Sequence, residues 1–281
     1  MIAKSDRVKR FIAQRSAVVS MAFLAGCVVV SLAAPYIFEQ DAFAMQGEPF
    51  IWPGTDMAYP LGTDMFGRDI LTGLVYGARI SLAIGLFSAL ISTCIGVAIG
   101  LAAGYFRGWV DNILMRFTEL FQTIPPLLFV VTIVAILQPS IGSILMAIGL
   151  TSWTQTARLV RAEALRIRQS EYIAASFTLG LGSMRILFFH VLPNAISPAV
   201  VTGTILAGTA ILTESALAFL GLGDPNIMSW GSMIGAGRQV LRTAWYITAI
   251  PGLAIVATVL SISALGNALN KALDIRAVRG A

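Results

Sequence analysis

The sequence predicts an all-α integral membrane protein, and three observations lead to this fold class. Hydrophobic residues make up 57% of the 281-residue chain, and only 12% of the residues are charged. The mean hydropathy is +0.82, whereas soluble domains carry about twice this charged fraction. The apolar residues also occur in charge-free stretches long enough to cross a bilayer, which takes roughly 20 residues in a helix. One soluble core cannot bury this much apolar surface.

Six membrane-spanning helices are predicted from the charge-free stretches. These stretches cover Ser16–Phe38, Ile80–Phe106, Leu120–Ala157, Ile186–Thr213 (which continues past Glu214 to Gly223) and Thr243–Asn270. The third would be about 57 Å long as a single helix, nearly twice the thickness of the hydrocarbon core. Gln138, Pro139, Ser140 and Gly142 form a turn-like cluster in its middle. We therefore expect this stretch to form two spans joined by a tight turn.

The distribution of basic residues predicts which side of the membrane each connection occupies. Most of the 19 Lys and Arg residues fall in the two termini and in the second-to-third and fourth-to-fifth connections. The positive-inside rule places these segments in the cytoplasm. The predicted organisation is a cytoplasmic N-terminus (1–15), a first span (16–38), an extracytoplasmic loop (39–78), a core (79–270) with a cytoplasmic loop (158–193), and a cytoplasmic C-terminus (271–281). This asymmetry explains the net charge of +5 without nucleic-acid binding.

The N-terminal segment has a second interpretation. A basic start, an apolar stretch and the triplet Ala42-Phe43-Ala44 resemble a secretory signal with its cleavage site. However, the apolar run is longer than the usual signal core of about 7–15 residues, and the triplet lies beyond its end. A retained first span is therefore the preferred interpretation.

Two features within the predicted spans indicate helix packing or a polar cavity. Gly96, Gly100 and Gly104 repeat at four-residue spacing and give the second span a smooth face. Packing within the subunit is favoured for this face, and a contact between subunits is the alternative. Glu214 is the only carboxylate within a predicted span. Because a charge is costly in lipid, it faces either a cavity or a neighbouring helix.

The connection between the fourth and fifth spans is the most informative cytoplasmic segment. Ala157–Leu179 is rich in Ala, Arg, Glu and Leu and is predicted to form one helix. Gly180 and Gly182 would end this helix, and Ser183 would cap a short second helix. Small residues at Ala174, Ala175 and Gly180 leave room for another protein to approach.

Enzyme chemistry is not predicted. His190 is the only histidine, so no metal site built on paired histidines is expected. No Gly-x-Ser-x-Gly elbow occurs, and none of the three lysines follows a glycine in a phosphate-binding loop. We therefore expect neither a cofactor nor a metal, and any ATP hydrolysis would need another subunit. Cys27 and Cys94 lie in apolar runs and imply no disulfide.

Three motifs resemble the permease subunits of ABC importers. Ala174-Ala175-Ser176, Gly180 and Leu192-Pro193 match the spacing of the EAA loop of that family, with Ala174 in place of the usual Glu. Two further stretches, Pro60–Leu82 and Glu214–Gly231, are similar to the entry to the core and to the fifth span and following loop of C-type dipeptide and oligopeptide permeases.

The resemblance implies a type I ABC importer permease fold in the bacterial inner membrane, with one extra N-terminal span before a five-helix core. It implies four partners besides membrane lipid: a second homologous permease, two cytoplasmic ATPases and an extracytoplasmic solute-binding protein. The substrates would be dipeptides, oligopeptides or related small solutes. By analogy, Glu171, Ala174, Ala175, Gly180 and Ser183 would couple the chain to an ATPase, and Glu214 would line the translocation pathway.

A stand-alone secondary transporter and an intramembrane enzyme are the alternative functions. A secondary transporter would typically show internal repeats and paired ionisable residues near the membrane midplane. The sequence shows one intramembrane carboxylate and no convincing repeat. The absence of a catalytic constellation counts against the enzyme.

Overall fold

The computed structural model describes Phe11 and residues 14–38 and 41–273. The predicted termini, 1–15 and 271–281, therefore lie mostly outside the described residues. The helices are α1 (Arg15–Ile37), α2 (Ile70–Phe106), α3 (Gly108–Thr123), α4 (Pro126–Leu137), α5 (Ile141–Thr151), α6 (Trp153–Arg168), α7 (Glu171–Thr178), α8 (Ser183–Ile186), α9 (Leu192–Phe219), α10 (Trp230–Gly237) and α11 (Tyr246–Leu273). A π-helical turn (Leu187–Val191) joins α8 to α9, and a 3-10 turn (Arg238–Val240) follows α10.

The described residues contain four or five candidate membrane spans by length and composition, whereas the sequence predicts six. The four are α1, α2, the continuous Ser183–Phe219 segment and α11 as far as Ala272. Helices α3 and α4 meet the same criterion together, but they are bent by 85° and count as a fifth, broken span. The predicted fourth span falls on α5 and the start of α6. It is divided at Ser152, and α6 continues into an arginine-rich segment.

The turn predicted within the long third stretch is confirmed. Gln138 has a φ of +67° between α4 and α5. The Ser140 side chain then caps α5 by accepting a hydrogen bond from the Ser143 N–H at 3.1 Å. The Ser143 hydroxyl in turn accepts from the Ser140 N–H, which completes a reciprocal capping box.

The loop after the first span is shorter than predicted, because α2 begins at Ile70 and not after residue 78. The Asp69 carboxylate caps α2 by accepting hydrogen bonds from the N–H groups of Leu71 and Thr72, at 3.1 and 3.0 Å. Charged residues end an apolar run in the sequence, but they do not end a helix that continues beyond the lipid. The predicted core boundary at residue 79 therefore falls inside α2.

Residues 41–69 fold over one end of the helix bundle, which we call the loop face. The Tyr246 hydroxyl at the start of α11 lies 3.0 and 3.1 Å from the carbonyl oxygens of Ile51 and Thr63. The Trp52 ring packs on Tyr246 with 5.0 Å between centroids. This loop is therefore an ordered cap. The opposite end, which carries α7 and α8, is called the short-helix face.

The glycine repeat of α2 packs against α6 within the same chain, as the favoured interpretation predicted. A methyl group added at Gly96 would lie 2.6 Å from Cβ of Thr156, and one at Gly104 would lie 2.6 Å from the Arg161 carbonyl oxygen. At Gly100 it would overlap the Ala157 carbonyl oxygen. The backbones of α2 and α6 are therefore in direct contact at Gly96, Gly100 and Gly104. Only glycine permits the two helices to approach this closely.

Candidate coupling surface

The cytoplasmic helix predicted over Ala157–Leu179 is in fact two helices. Helix α6 ends at Arg168, and α7 begins at Glu171 after an extended Ser170 with φ −75° and ψ 148°. The Ser170 hydroxyl donates to the Ile167 carbonyl oxygen at 2.5 Å. Serine side chains compete in this way with the backbone bonds of a continuing helix, which explains the break. Helix α7 is thereby turned into a separate element.

Helix α7 is attached through one face and exposed on the others. Ile173 and Ser176 are buried, while Glu171, Ala174 and Ala175 are exposed. Ile173 joins an apolar cluster with Leu101 and Tyr105 of α2, Val160, Ala164 and Ile167 of α6, and Ile186, Leu187 and Val191 further along the chain. The predicted coupling residues therefore stand on the free side of a helix that is fixed to the bundle.

Gly180 ends α7 in a Schellman motif. Its φ is +76°, its N–H donates to the Phe177 carbonyl at 3.0 Å, and the Leu181 N–H donates to the Ser176 carbonyl at 3.2 Å. The space around Gly180 is open, because a Cβ there would meet nothing within 4 Å. The glycine is thus required by the backbone conformation and not by internal packing.

Ser183 does not cap the short second helix, so that prediction is wrong. Gly182 occupies the N-cap position of α8, and no side chain caps the helix. Ser183 is the first helical residue, and its carbonyl oxygen accepts a hydrogen bond from the Tyr105 hydroxyl at 2.8 Å. Because Tyr105 lies in the last turn of α2, this bond ties α8 directly to a long membrane helix.

A π-helical turn carries the chain from α8 into α9. Pro193 has no N–H, so it cannot donate to the carbonyl four residues earlier in an α-helix. The missing bond is accommodated by the wider π-helical turn at Leu187–Val191, just before the proline. The Asn194 side chain donates a hydrogen bond to the His190 carbonyl oxygen at 2.7 Å. The exposed side chains of Phe188 and Phe189 extend the apolar surface that begins at α7.

One ion pair joins α6 to α3, and a second lies within α6. The Arg161 guanidinium binds Asp111 of α3 through two hydrogen bonds of 2.5 and 2.7 Å, and Arg166 binds Glu163. Hydrogen bonding to these carboxylates raises the pKa of both guanidinium groups above the ordinary value. Both arginines therefore keep their charge throughout the physiological pH range.

Glu214 lies far from the coupling surface, near the loop face of α9. It is 2% exposed, and its Oε1 accepts a hydrogen bond of 2.6 Å from the Ser229 hydroxyl. Oε2 is buried without a partner, and a Cβ at Gly231 would lie 3.0 Å from both oxygens. About 22 residues of helix, roughly 33 Å, separate it from the start of α9. The carboxylate thus faces α10, a neighbouring helix.

The structure brings together Glu171, Ala174, Ala175, Gly180 and Ser183, all exposed on the short-helix face, and leaves Glu214 apart from them. Sequence reasoning missed Tyr105 and the Asp111–Arg161 pair, which brace this surface. The sequence does contain a sign of Asp111, because it is an isolated carboxylate in the first turn of α3, where a partner for it is expected. No signal identified Tyr105, because its partner is a backbone carbonyl.

Residues 96–279 match the family described as binding-protein-dependent transport system inner membrane component. Since this match covers well over half of the chain, the protein belongs to that family. It is therefore a membrane component of a binding-protein-dependent transport system, and not a stand-alone secondary transporter.

Relatives of known name extend the match over nearly the whole chain. The chain is 35% identical to the dipeptide transport system permease protein DppC of Alkalihalophilus pseudofirmus, over 96% of this chain and 88% of that protein. It is 36% identical to the glutathione transport system permease protein GsiD of Pectobacterium atrosepticum, over 95% of this chain and 89% of that protein. The di/tripeptide permease protein DppC of Pseudomonas aeruginosa is 36% identical, over 94% and 89%.

Solved structures show the same fold. The MetNI methionine ABC transporter in inward-facing conformations superimposes with a TM-score of 0.61 and 19% identity, over 73% of this chain and 98% of that chain. An amino acid ABC transporter crystallised with histidines gives a TM-score of 0.56 and 14% identity, over 72% and 94%. The predicted fold class, that of an ABC importer permease, is confirmed.

Proposed function

We propose that this chain is one of two permease subunits in an ATP-driven peptide importer. Three of the relatives are named for the transport of dipeptides, di- and tripeptides or glutathione, which are all short peptides or peptide-like. The partners would be a second permease, two ATPases and an extracytoplasmic binding protein. The chain itself would form half of the pathway and would bind no ATP.

The exposed surface of α7 and α8 is the observation that carries this proposal. It combines small residues at Ala174, Ala175 and Gly180 with exposed apolar side chains such as Leu179, which is 80% exposed. Exposed apolar side chains on a rigid, braced support are typical of a protein interface. We propose that the surface docks on an ATPase, with Glu171 and Ser183 at its two ends.

The orientation of the bundle follows from the same assignment. The short-helix face carries Arg158, Arg161, Arg166, Arg168 and Arg185, so the positive-inside rule places it in the cytoplasm. The loop face would then meet the binding protein in the extracytoplasmic space. Both termini would be cytoplasmic in the bacterial inner membrane.

Glu214 is assigned a supporting role in this proposal. Its Oε1 binds Ser229, the residue that caps α10, and its exposed fraction is too small for contact with a passing solute. We infer that it shapes the extracytoplasmic end of the pathway by holding α10 against α9. A direct contact with substrate is the alternative that the burial disfavours.

A pair of matched glycine variants tests the coupling assignment. Gly180 and Gly221 both end a helix in a Schellman motif, with φ of +76° and +84°, and both have open surroundings. They lie on opposite faces of the bundle. We expect Gly180→Asp to abolish recovery of the ATPases with the tagged, co-expressed complex, and Gly221→Asp to leave that recovery unchanged.

The strain of a non-glycine residue at positive φ, about 1–2 kcal/mol, is the same in the two variants. Thermal unfolding of the purified proteins checks that they fold equally well. Full ATPase recovery with Gly180→Asp would disprove the coupling assignment. A wild-type chain that purifies without ATPases and still transports peptides after reconstitution would disprove the importer function as a whole.

A further inference from the structure

A polar groove lies between two helices of the bundle, and none of its lining residues belongs to the coupling surface. A groove of about 360 Å³ runs between α3 and α6. It is lined by Asn112, Met115, Arg116, Thr118 and Glu119 of α3 and by Arg158 and Arg161 of α6. Three arginines thus converge on one groove.

The groove keeps an unbalanced positive charge. Arg161 is paired with Asp111, and Arg116 forms an exposed ion pair of 3.4 Å with Glu119. Arg158 forms no ion pair with a described residue, and its guanidinium donates a hydrogen bond of 3.1 Å to the neutral side-chain oxygen of Gln122. Three guanidinium groups therefore face two carboxylates, and the one that is not neutralised opens to solvent.

The groove adjoins an apolar surface on the same helix. Trp109, Ile113 and Leu120 of α3 are 73%, 58% and 66% exposed. At 100° per residue they lie within about 40° of one another around the helix, and Arg116 is about 40° from their centre. A guanidinium group thus borders an exposed apolar stripe that ends in a tryptophan, the arrangement typical of helices at a membrane interface.

The position of the groove along the bundle agrees with a membrane boundary. Arg161 lies opposite Gly104, and Arg158 lies on the preceding turn of α6. Helix α2 ends at Phe106, so the groove is level with the last turns of this long span. Under the orientation proposed above, that level is the cytoplasmic surface of the membrane.

We propose that this groove binds the phosphate group of an anionic phospholipid from the cytoplasmic leaflet. Arg158 is the principal ligand, Arg116 contributes from α3, and the acyl chains lie along Trp109, Ile113 and Leu120. Basic pockets between membrane helices on the cytoplasmic side bind such headgroups by charge complementarity. The inference rests on the proposed orientation, but it depends neither on the substrate nor on the ATPase contact.

Native mass spectrometry of the full chain, titrated with phosphatidylglycerol or phosphatidylcholine, tests the proposal. We expect phosphatidylglycerol to be retained preferentially, and Arg158→Gln to weaken its retention about fivefold, the effect of one basic residue at a charged membrane surface. Arg116→Gln should act in the same direction. Arg15→Gln is the matched control, because Arg15 begins α1 on the cytoplasmic side and lies outside the groove.

Equal retention of the two lipids, or equal loss with Arg158→Gln and Arg15→Gln, would overturn the proposal. Displacement of the lipid by inorganic phosphate at matched concentration would assign the groove to a free phosphate and would also overturn it. Since this assay contains no ATPase, its result is independent of the pull-down that tests the importer function.

Discussion

Helices α7 and α10 are both eight residues long and stand at opposite ends of the bundle, but they are attached in different ways. Helix α10 begins with a capping box formed by Ser229 and Ser232, and it buries Trp230 and Met233 against the bundle. Helix α7 has no side-chain cap and buries only Ile173 and Ser176. The comparison shows that α10 belongs to the interior of the bundle, whereas α7 offers most of its surface to another molecule.

The largest effect is expected where α7 depends on a single anchor. Replacing Ile173 with Ala removes the one large side chain that fixes this helix to the apolar cluster, and such truncations cost about 2–5 kcal/mol. Leu179→Ala, at the exposed end of the same helix, should cost little. Thermal unfolding of the two purified variants measures the difference, and similar midpoints would show that α7 is not anchored as described.

A smaller effect is expected from Gly231→Ala in α10. The added methyl group would lie 2.7 Å from Cα of Ser215 and 3.0 Å from both Glu214 oxygens, and overpacking of this kind costs about 1–3 kcal/mol. Gly182→Ala beside α8 meets nothing within 4 Å and serves as the control. An unchanged unfolding temperature for Gly231→Ala would contradict the tight packing of α10 on α9.

The smallest effect on stability is expected from serine variants at the N-terminal ends of α10 and α7. Ser232→Ala removes the hydroxyl that accepts a hydrogen bond from the Ser229 N–H in the capping box of α10, and the loss of one such bond costs about 0.5–1.5 kcal/mol. Ser170→Ala should cost less, because the Ser170 side chain does not cap α7. Unfolding in denaturant compares the pair. A larger loss for Ser170→Ala would reverse the comparison between the two helices.

The parts of the fold that the sequence predicted correctly depend on local chemistry. The turn at Gln138–Ser140 follows from residues that break helices, and the packing of one face of α2 within the chain follows from the spacing of Gly96, Gly100 and Gly104. The predicted start of α2 is wrong because the charge-free stretch begins at Ile80, directly after Arg79, whereas the helix itself begins at Ile70. The cap residue Asp69, followed by Leu71 and Thr72, was the signal that could have located it.

The candidate site was predicted as a set of residues but not as a shape. The EAA-like spacing identified Ala174, Ala175 and Gly180, which the structure places on one exposed surface. The break at Ser170 depends on a hydrogen bond of one hydroxyl to a carbonyl three residues earlier, and many serines within helices do not form one. The arginine groove depends on the packing of α3 beside α6, which the Asp111–Arg161 ion pair joins, and sequence periodicity does not report which helices are neighbours.

Helix α2 also has a mechanical consequence. It runs without a break from the cap residue Asp69 to Tyr105, which holds α8 through the Ser183 carbonyl. A straight helix of 37 residues is about 55 Å long, so a tilt of about 5° around one end displaces the other by about 5 Å. Over its last turns α2 packs side by side with α6 in direct backbone contact, and this pairing stiffens α2 there. A small tilt of α2 at the loop face therefore displaces its other end, at the short-helix face, sideways by about 5 Å, a distance close to the pitch of one helical turn.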